Sequence, residues 1–356
     1  MDYSDNQLKL MSLEDVIGLD KEVRLHWFRL LQVRHRELEK ITRDLAHLLH
    51  PDNETRIVAL IGMTGVGKTT LARLILQMAL AKVWGSHIAP WDVPYIFVAA
   101  PANGEKSLSW RVLYQRILRA ALEILVDQKQ QTQDSDDFIS LSRGKNTVAA
   151  LRESVESMLK NRNVRLVVID EAVHLLRFEA YAAVMDTLKS LADVHKTKIL
   201  LIGSYDLYDL VTDYGQTARR GEILHYKRYN GHGRTTKDNI AADQDEFANI
   251  VKKLQEKWPS CVVPNLEAIA DDLMEATLGS VGLLKALLVS ALELQLNAKS
   301  EKWDPRYLIK AAKSLKLIKR IRDETVVGEE KLSGASFGES YFSDPAIFAK
   351  VAAKMA

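Results

Sequence analysis

The chain has 356 residues, which is enough for two or three domains with a sizeable core. Hydrophobic residues make up 47% and charged residues 27% of it, a composition typical of ordinary globular proteins. The formal net charge is only +2, so any nucleic-acid surface has to be a local patch. The single cysteine, Cys261, excludes an internal disulfide framework and a cysteine-based zinc site.

The N-terminal segment and the hydropathy pattern predict a cytoplasmic protein. The first residues are acidic and polar, and they lack the apolar core of a signal peptide. No run of about 18 apolar residues is present, so we expect neither a membrane span nor a membrane partner. One cysteine also suits a reducing compartment.

Strand and helix patterns alternate through the first two thirds of the chain. A helical pattern runs from Val23 to about Leu49. Five mostly apolar segments then predict strands at 57–61, 95–100, 165–170, 198–203 and 223–226. Amphipathic patterns between them predict helices at 68–84, 108–126, 148–160 and 181–195. This alternation predicts an α/β fold with a parallel five-stranded sheet covered by helices.

The composition changes near residue 245, and the remaining pattern is helical. Helices are predicted at 245–257, 266–276, 280–298 and 304–321. The predicted domains are an N-terminal arm (1–12), an α/β nucleotide-binding domain (13–229), a polar surface insertion (230–244), a helical domain (245–322) and a flexible tail (323–356).

The segment from Gly62 to Thr69 matches the phosphate-loop pattern G-x-x-x-x-G-K-[ST], between a predicted strand and a predicted helix. Its glycines allow a tight turn whose N–H groups face an anion. Lys68 is expected at the β- and γ-phosphates, and the Thr69 hydroxyl on Mg²⁺. The residues predicted to bind nucleotide here are Gly62, Thr64, Gly65, Val66, Gly67, Lys68, Thr69 and Thr70.

A second signature, Asp170-Glu171, follows the apolar strand Leu166-Val-Val-Ile. In open α/β sheets ligands bind at the carboxyl ends of the strands. Asp170 is therefore predicted to hold Mg²⁺, and Glu171 to act as the general base toward water. An acidic strand end alone is a weak signal, but its combination with a phosphate loop favours hydrolysis over mere binding.

Two further polar segments are candidates for the same site. Ser204, just past the predicted fourth strand, can reach a γ-phosphate or the attacking water, with Tyr205 as the substitute; a plain Gly-Ser turn explains the pattern equally well. Arg219 and Arg220 precede the fifth strand. They are either a solvated helix cap or an arginine finger for a neighbouring subunit.

Several stretches resemble the AAA+ ATPases of the TnsC/TniB/MuB group, the transposition regulators that choose target DNA. The resemblance covers about residues 13–300 and is carried by four stretches. They are Glu14–Gly18, beside the adenine in that family; Pro101–Leu125; Asp170–Leu176, similar to D-E-x-H-x-L-L; and Gly279–Leu288, similar to the start of the lid helix.

This resemblance implies the AAA+ fold with a C-terminal helical lid domain. It implies Val16 and Ile17 at the adenine, and Mg²⁺-dependent, weak and assembly-coupled ATP hydrolysis. Many relatives carry a lid arginine where Gly282 stands, so Lys285 is the candidate for that role. It also implies rings or filaments of this chain on duplex DNA, nucleoid association in a bacterial cytoplasm, and partnership with a transposase and a targeting factor.

Contacts to DNA are expected to be directed at phosphates and independent of base sequence. The candidates are Lys106, Arg111, Arg143 and Lys145, each of which an ordinary surface charge explains equally well. A predicted basic helix face carries Arg306, Lys310, Lys313, Lys316 and Arg320, opposite an apolar face that includes Leu315. The tail is either a frayed terminus or a docking peptide.

Two alternative functions remain open at this level. One is a signalling or defence NTPase whose nucleotide switch gates protein assembly without DNA. The other is a replication-initiator or helicase-loader type of AAA+ protein, against which the helical character of residues 300–356 counts because an initiator is expected to carry a winged helix.

Overall fold

The computed structural model describes residues 3–83, 89, 91–102, 109–122, 147–177, 181–212, 221–229 and 237–334. The chain divides into two compact units. One comprises Arg34–Lys227 and is called the α/β unit below. The other comprises Met1–Val33 with Arg228–Ala356 and is called the helical unit.

The elements in chain order are as follows. The helices are α1 (Asp5–Leu10), α2 (Leu13–Ile17), α3 (Lys21–Leu30), α4 (Arg36–Leu49), α5 (Lys68–Val83), α6 (Trp110–Ala120), α7 (Val148–Asn161), α8 (Tyr181–Val194), α9 (Leu207–Thr212), α10 (Lys237–Glu256), α11 (Ala270–Ala276), α12 (Val281–Leu296), α13 (Arg306–Ala311) and α14 (Leu315–Gly334). The strands are β1 (Ile57–Gly62), β2 (Tyr95–Ala99), β3 (Leu166–Asp170), β4 (Lys198–Gly203) and β5 (Gly221–Tyr226). Short 3₁₀ turns cover Ala172–Arg177 and Glu267–Ile269.

The five strands form one parallel sheet in the order β2-β3-β4-β1-β5, which confirms the predicted fold class. Every residue of β1 and β4 is buried, as expected for central strands covered on both faces. Because β4 lies between β1 and β3, the carboxyl ends of these three strands meet at one edge of the sheet. The sheet thus brings the phosphate loop, Asp170 and Ser204 to the same edge.

A buried lysine joins α4 to the start of β4. The Lys198 ammonium donates to the carbonyls of Leu48, Asn53 and Thr55 at 2.9, 2.8 and 2.7 Å. These carbonyls belong to the last turn of α4 and the segment that leads into β1. A buried cation is tolerated here because all three of its protons meet carbonyl oxygens.

The helical unit has its own core, built around Trp258, Phe247, Tyr229 and Phe28. Its N-terminal part is not a loose arm. Ser4 and Gln7 form a capping box that starts α1, and Leu8 is buried in this core. The predicted boundary at residue 13 therefore differs from the observed one, because α1 to α3 belong to the helical unit.

Several predicted helix boundaries were wrong. The pattern from Val23 to Leu49 is two helices in different units, since α3 ends at Leu30 and His35 caps α4 by accepting from the Leu38 N–H. Residues 237–244 of the predicted insertion are the start of α10. Residues 323–334 of the predicted tail continue α14, and the rest of the tail lies outside the described residues.

The predicted basic helix at 304–321 is also interrupted. Helix α13 ends at Ala311 and α14 begins at Leu315, so the basic residues lie on two helices. Leu315, assigned from the sequence to the apolar face, is 89% exposed. The interruption removes the single helical period on which the two-faced pattern rested.

Within the described residues, no single helix is long and apolar enough to cross a membrane; one bent pair, Glu267–Ala276 with Val281–Leu296, passes by length and composition alone. The same part of the chain holds no group of three or more His, Cys, Asp or Glu side chains suited to a metal ion.

Candidate nucleotide site

The phosphate loop connects β1 to α5 and depends on its glycines. Gly65 and Gly67 have φ angles of 83° and 106°, a region that side-chain-bearing residues rarely adopt. At Gly62 a Cβ atom would lie 2.7 Å from the carbonyl oxygen of Tyr226, on the neighbouring strand β5. The loop can therefore approach β5 and turn tightly only with glycine at these positions.

Lys68 begins α5 and turns its side chain into the loop. Its ammonium donates to the carbonyls of Gly62 at 2.8 Å and of Met63 at 2.9 Å. Burial lowers the pKa of this ammonium to about 8, and the nearby Asp170 carboxylate partly opposes that shift. An incompletely neutralised, desolvated cation at the loop is suited to an incoming polyphosphate.

Thr69 and Asp170 meet directly. The Thr69 hydroxyl donates to Oδ2 of Asp170 at 2.8 Å, while the backbone N–H of Glu171 donates to Oδ1 at 2.8 Å. Both carboxylate oxygens are therefore fixed in position. A hydroxyl and a carboxylate held together at the strand ends supply the hard oxygen ligands that Mg²⁺ prefers.

Glu171 follows Asp170 in a left-handed backbone conformation, with φ of 53°. This conformation is unfavourable for a residue other than glycine by about 1–2 kcal/mol, and such strain concentrates at functional sites. The His174 N–H donates to the Glu171 carbonyl at 3.0 Å, and His174 Nε2 lies 3.8 Å from the Glu171 carboxylate. The turn presents an exposed carboxylate beside the Thr69–Asp170 pair, as a general base toward water requires.

Ser204 lies just past β4, between the strand ends that carry Asp170 and the phosphate loop. Its hydroxyl donates to Asp206 at 3.2 Å, and the structure shows no hydrogen bond from it to Lys68, Thr69 or Asp170. The substitute candidate, Tyr205, is buried, and its hydroxyl lies 3.1 Å from His225 Nε2. Ser204 is therefore placed at the correct edge, whereas Tyr205 is engaged with β5.

The other predicted residues lie partly in the phosphate loop and partly elsewhere. In the loop, Thr64 and Thr70 are exposed and Val66 is buried. Val16, Ile17 and Lys285 belong to the helical unit. Arg111 is exposed on α6. The remaining predicted residues, Lys106, Arg143, Lys145, Arg219 and Arg220, lie outside the described residues.

Lys285 already has partners inside the helical unit. Its ammonium donates to the Leu31 carbonyl at 3.2 Å and lies 4.4 Å from the centre of the Phe28 ring. Burial lowers its pKa to about 7. A contact with nucleotide stays a prediction for this residue, as it does for Val16 and Ile17.

Sequence reasoning missed three features of the site. The Met63 carbonyl holds Lys68, Tyr226 sets the space at Gly62, and His174 lies beside Glu171 with its Nδ1 buried and without a hydrogen-bond partner among the described residues. His174 lies in the D-E-x-H stretch that carries the family resemblance, but the sequence alone gave it no role in the site. Met63 contributes only backbone, and the Tyr226 contact depends on strand order, so neither left a signal in the sequence.

The sheet order, the phosphate loop and the acidic strand end are those of the AAA+ fold of phosphate-loop NTPases. Residues 52–211 match the family model described as an AAA domain. No curated protein matches the chain.

Two solved structures share the fold. The ORC1 protein of Aeropyrum pernix, in complex with DNA, has a TM-score of 0.55 and 19% identity, over 83% of this chain and 70% of that chain. The ORC2 protein of the same organism, in ADPNP–ADP complexes, has a TM-score of 0.51 and 16% identity, over 90% of this chain and 86% of that chain. At these identities the likeness shows the fold alone.

Proposed function

We propose that this chain is an ATP-hydrolysing AAA+ switch that assembles on duplex DNA. The observation that carries the hydrolytic part is the 2.8 Å hydrogen bond between Thr69 and Asp170 beside the inward-turned ammonium of Lys68. It places a cation and a pair of oxygen ligands within one small edge of the sheet, as a magnesium–triphosphate complex needs.

The residues present fit both ATP and Mg²⁺. A Cβ at Gly62 would meet the Tyr226 carbonyl, and the φ angles of Gly65 and Gly67 leave a loop lined by backbone. Lys68 would hold the phosphates, and Thr69 with Asp170 would hold the metal ion. When bound, Mg²⁺ withdraws negative charge from the phosphate oxygens.

The protein's own residues divide the remaining work. Glu171 accepts a proton from water; its backbone N–H donates to Asp170 and its carbonyl accepts from the His174 N–H, so the turn that carries its carboxylate is fixed. Ser204 orients water or phosphate from the end of β4. Arg219 or Arg220 of a neighbouring copy supplies a planar cation to the transition state, so full activity requires a homo-oligomer.

The proposal that the chain assembles on duplex DNA rests on the resemblance to the transposition regulators. The structure of the A. pernix ORC1 protein, which has a similar fold, is a complex with DNA. Contacts from Lys106, Arg111, Arg143 and Lys145 would be directed at phosphates. In the cell the assembly would mark a target site for a transposase and link it to a targeting factor.

A second candidate is an origin-recognition type of AAA+ protein, favoured by the fold likeness to ORC1 at a TM-score of 0.55. The two candidates differ in what they recognise. Target marking predicts equal affinity for random duplexes, with a steep loss on adding salt, whereas origin recognition predicts a preferred sequence. Fluorescence anisotropy with random and genomic origin duplexes across a salt series separates them.

The hydrolytic site is tested with Glu171→Gln and Lys68→Ala. Glu171→Gln should keep ATP affinity, lose ATPase activity by about a hundredfold or more, and remain on DNA as an oligomer. Lys68→Ala should lose ATP binding and assembly together. Glu54→Gln, which removes an exposed carboxylate of the same unit, is the control.

Three outcomes would refute parts of this function. Wild-type turnover by Glu171→Gln removes Glu171 as the base. If Lys68→Ala still forms oligomers on DNA, assembly does not require bound ATP. If DNA changes neither the ATPase activity nor the assembly of the wild-type protein, the signalling or defence switch is the better assignment.

A further inference from the structure

The junction of α13 and α14 is strongly basic. From Pro305 to Arg322 there are seven basic residues and no acidic one. Lys310, Lys313 and Lys316 are exposed, and none of them forms an ion pair within the part of the chain that the structure describes. Arg320 alone of this group is paired, with Glu324 at 2.9 Å.

Large apolar side chains are exposed among these lysines. Ile309 is 77%, Leu315 89% and Leu317 42% exposed. Leaving such side chains in water forgoes the favourable free energy that their burial would give. All three lie within nine residues that span the break between α13 and α14, a concentration that favours an interaction surface, whereas scattered single residues are ordinary.

A small pocket opens at the same junction. It has a volume of about 90 Å³ and is lined largely by apolar side chains, with Lys313 at its edge. The lining includes Leu283, Leu287, Ala311, Ala312 and Ile318. A single water needs only about 10–15 Å³ of such volume, so the pocket has room for an anchoring side-chain group.

We propose that this junction is a docking surface for an acidic, linear segment of a partner protein that inserts one aliphatic side chain into the pocket. The lysines face its carboxylates, and Ile309, Leu315 and Leu317 cover its remaining apolar side chains. The combination follows the general pattern of an apolar anchor in a pocket within a charged rim.

The exposed apolar side chains and the pocket favour an acidic peptide over DNA or an anionic membrane as the ligand of this surface. A DNA backbone offers phosphate charge but nothing that buries three exposed aliphatic side chains or fills an apolar pocket. An anionic membrane favours a continuous amphipathic helix, whereas here the helix is interrupted between Ala311 and Leu315 and a pocket opens beside the interruption.

The probe is a fluorescein-labelled peptide in which glutamate and aspartate residues flank a central pair of leucines. The control peptide has serines in place of the two leucines. The leucine peptide should bind the full-length protein at least about tenfold more tightly than the serine peptide. The double variant Lys313→Glu with Lys316→Glu should reduce that affinity by about tenfold or more. Ala286→Leu, which adds bulk at an exposed pocket-lining position, should remove the preference for leucine.

Matched controls are Lys252→Glu and Ala241→Leu, two exposed positions on α10, which should bind as wild type does. Lys68→Ala should also bind the peptide normally, so the result is independent of the nucleotide site. Circular dichroism checks that each variant is folded.

Any of four results overturns the proposal. They are no binding of the leucine peptide; equal affinity for both peptides; insensitivity to the lysine reversals; and competition by random duplex DNA or by phosphatidylserine vesicles that bind more tightly than the peptide. Loss of self-association in the lysine variants without peptide binding assigns the surface to a second copy of this chain, which also overturns it.

Discussion

The Thr69 hydroxyl lies 2.8 Å from Asp170, although the two residues are 101 positions apart in the chain. Thr69 follows the loop after β1, and Asp170 ends β3. These two strands are separated by β4. The hydrogen bond therefore connects the loop after β1 to the end of β3, past the end of β4. It also orients the two oxygen ligands expected on Mg²⁺.

Replacing Thr69 by Val keeps the shape of the side chain and removes its hydroxyl. Mg²⁺ is expected to raise the affinity of the wild type for ATP. In this variant we expect that increase to be smaller by about tenfold or more, because a metal ligand and the orientation of Asp170 are both lost. Titration calorimetry with and without Mg²⁺ measures this. Thr187→Val, which removes a hydroxyl on α8, should leave the enhancement unchanged. An unchanged enhancement in Thr69→Val would contradict the assigned metal site.

The second prediction concerns Gly279, which has a φ of 69° and whose carbonyl accepts the Tyr229 N–H at 3.0 Å. A Cβ at this position would overlap the Tyr229 backbone. Gly279→Ala should therefore lower the free energy of unfolding by about 2–4 kcal/mol, through backbone strain and steric overlap. Urea denaturation measures the change.

Gly18→Ala is the matched control in the same unit. A Cβ there meets no atom within 4 Å, and the φ of Gly18 is −80°, which suits alanine. This variant should change stability by no more than about 1 kcal/mol. Equal effects at the two glycines would show that the Tyr229 contact does not require glycine.

The third prediction concerns the ion pair between Arg228 and Glu329. Both guanidinium-to-carboxylate contacts are short, at 3.0 and 2.9 Å, and the Glu329 side chain is only 1% exposed. Glu329→Gln leaves a buried guanidinium without its counter-charge, so we expect a loss of about 3–5 kcal/mol in unfolding free energy.

The same helix supplies the control for that experiment. Glu324 pairs with Arg320 at a similar distance, but its side chain is 60% exposed. Glu324→Gln should cost about 0.5 kcal/mol or less because water screens the pair. A loss at Glu329 as small as that at Glu324 would mean that burial does not strengthen the pair between α14 and Arg228.

The fourth prediction is a pH dependence from Lys285, whose pKa is lowered by burial from 10.5 to about 7. Between these values the unfolded chain binds a proton that the folded chain does not. The Lys285 contribution to stability is therefore fully present above about pH 10.5 and is lost as the pH falls through about 7.

In Lys285→Met this contribution is absent. Between about pH 7.5 and 9 the wild type should gain about 2 kcal/mol of unfolding free energy relative to the variant, at ~1.4 kcal/mol per pH unit. Urea denaturation at several pH values measures it, and Lys252→Met, at an exposed position on α10, should follow the wild type. Parallel pH curves for wild type and Lys285→Met would contradict the effect of burial.

Much of the α/β unit was determined by local sequence. The apolar runs of β1, β3 and β4 are long, end in turn residues and alternate with helical periods, so their type and parallel arrangement followed from pattern alone. The tight turn at Gly65 and the start of a helix at Lys68 were equally predictable, because a phosphate loop encodes its backbone shape within a few consecutive residues.

Tertiary structure alone decided the remaining features. A hydropathy pattern depends only on residues that are close in sequence. It therefore predicted one helix where α3 and α4 belong to different units, and one helix where α13 and α14 are separated by a break. The need for glycine at Gly62 arises from the Tyr226 carbonyl, which reaches it only because β5 pairs with β1. The exposure of Leu315 likewise depends on where α14 begins, and no local period contains that information.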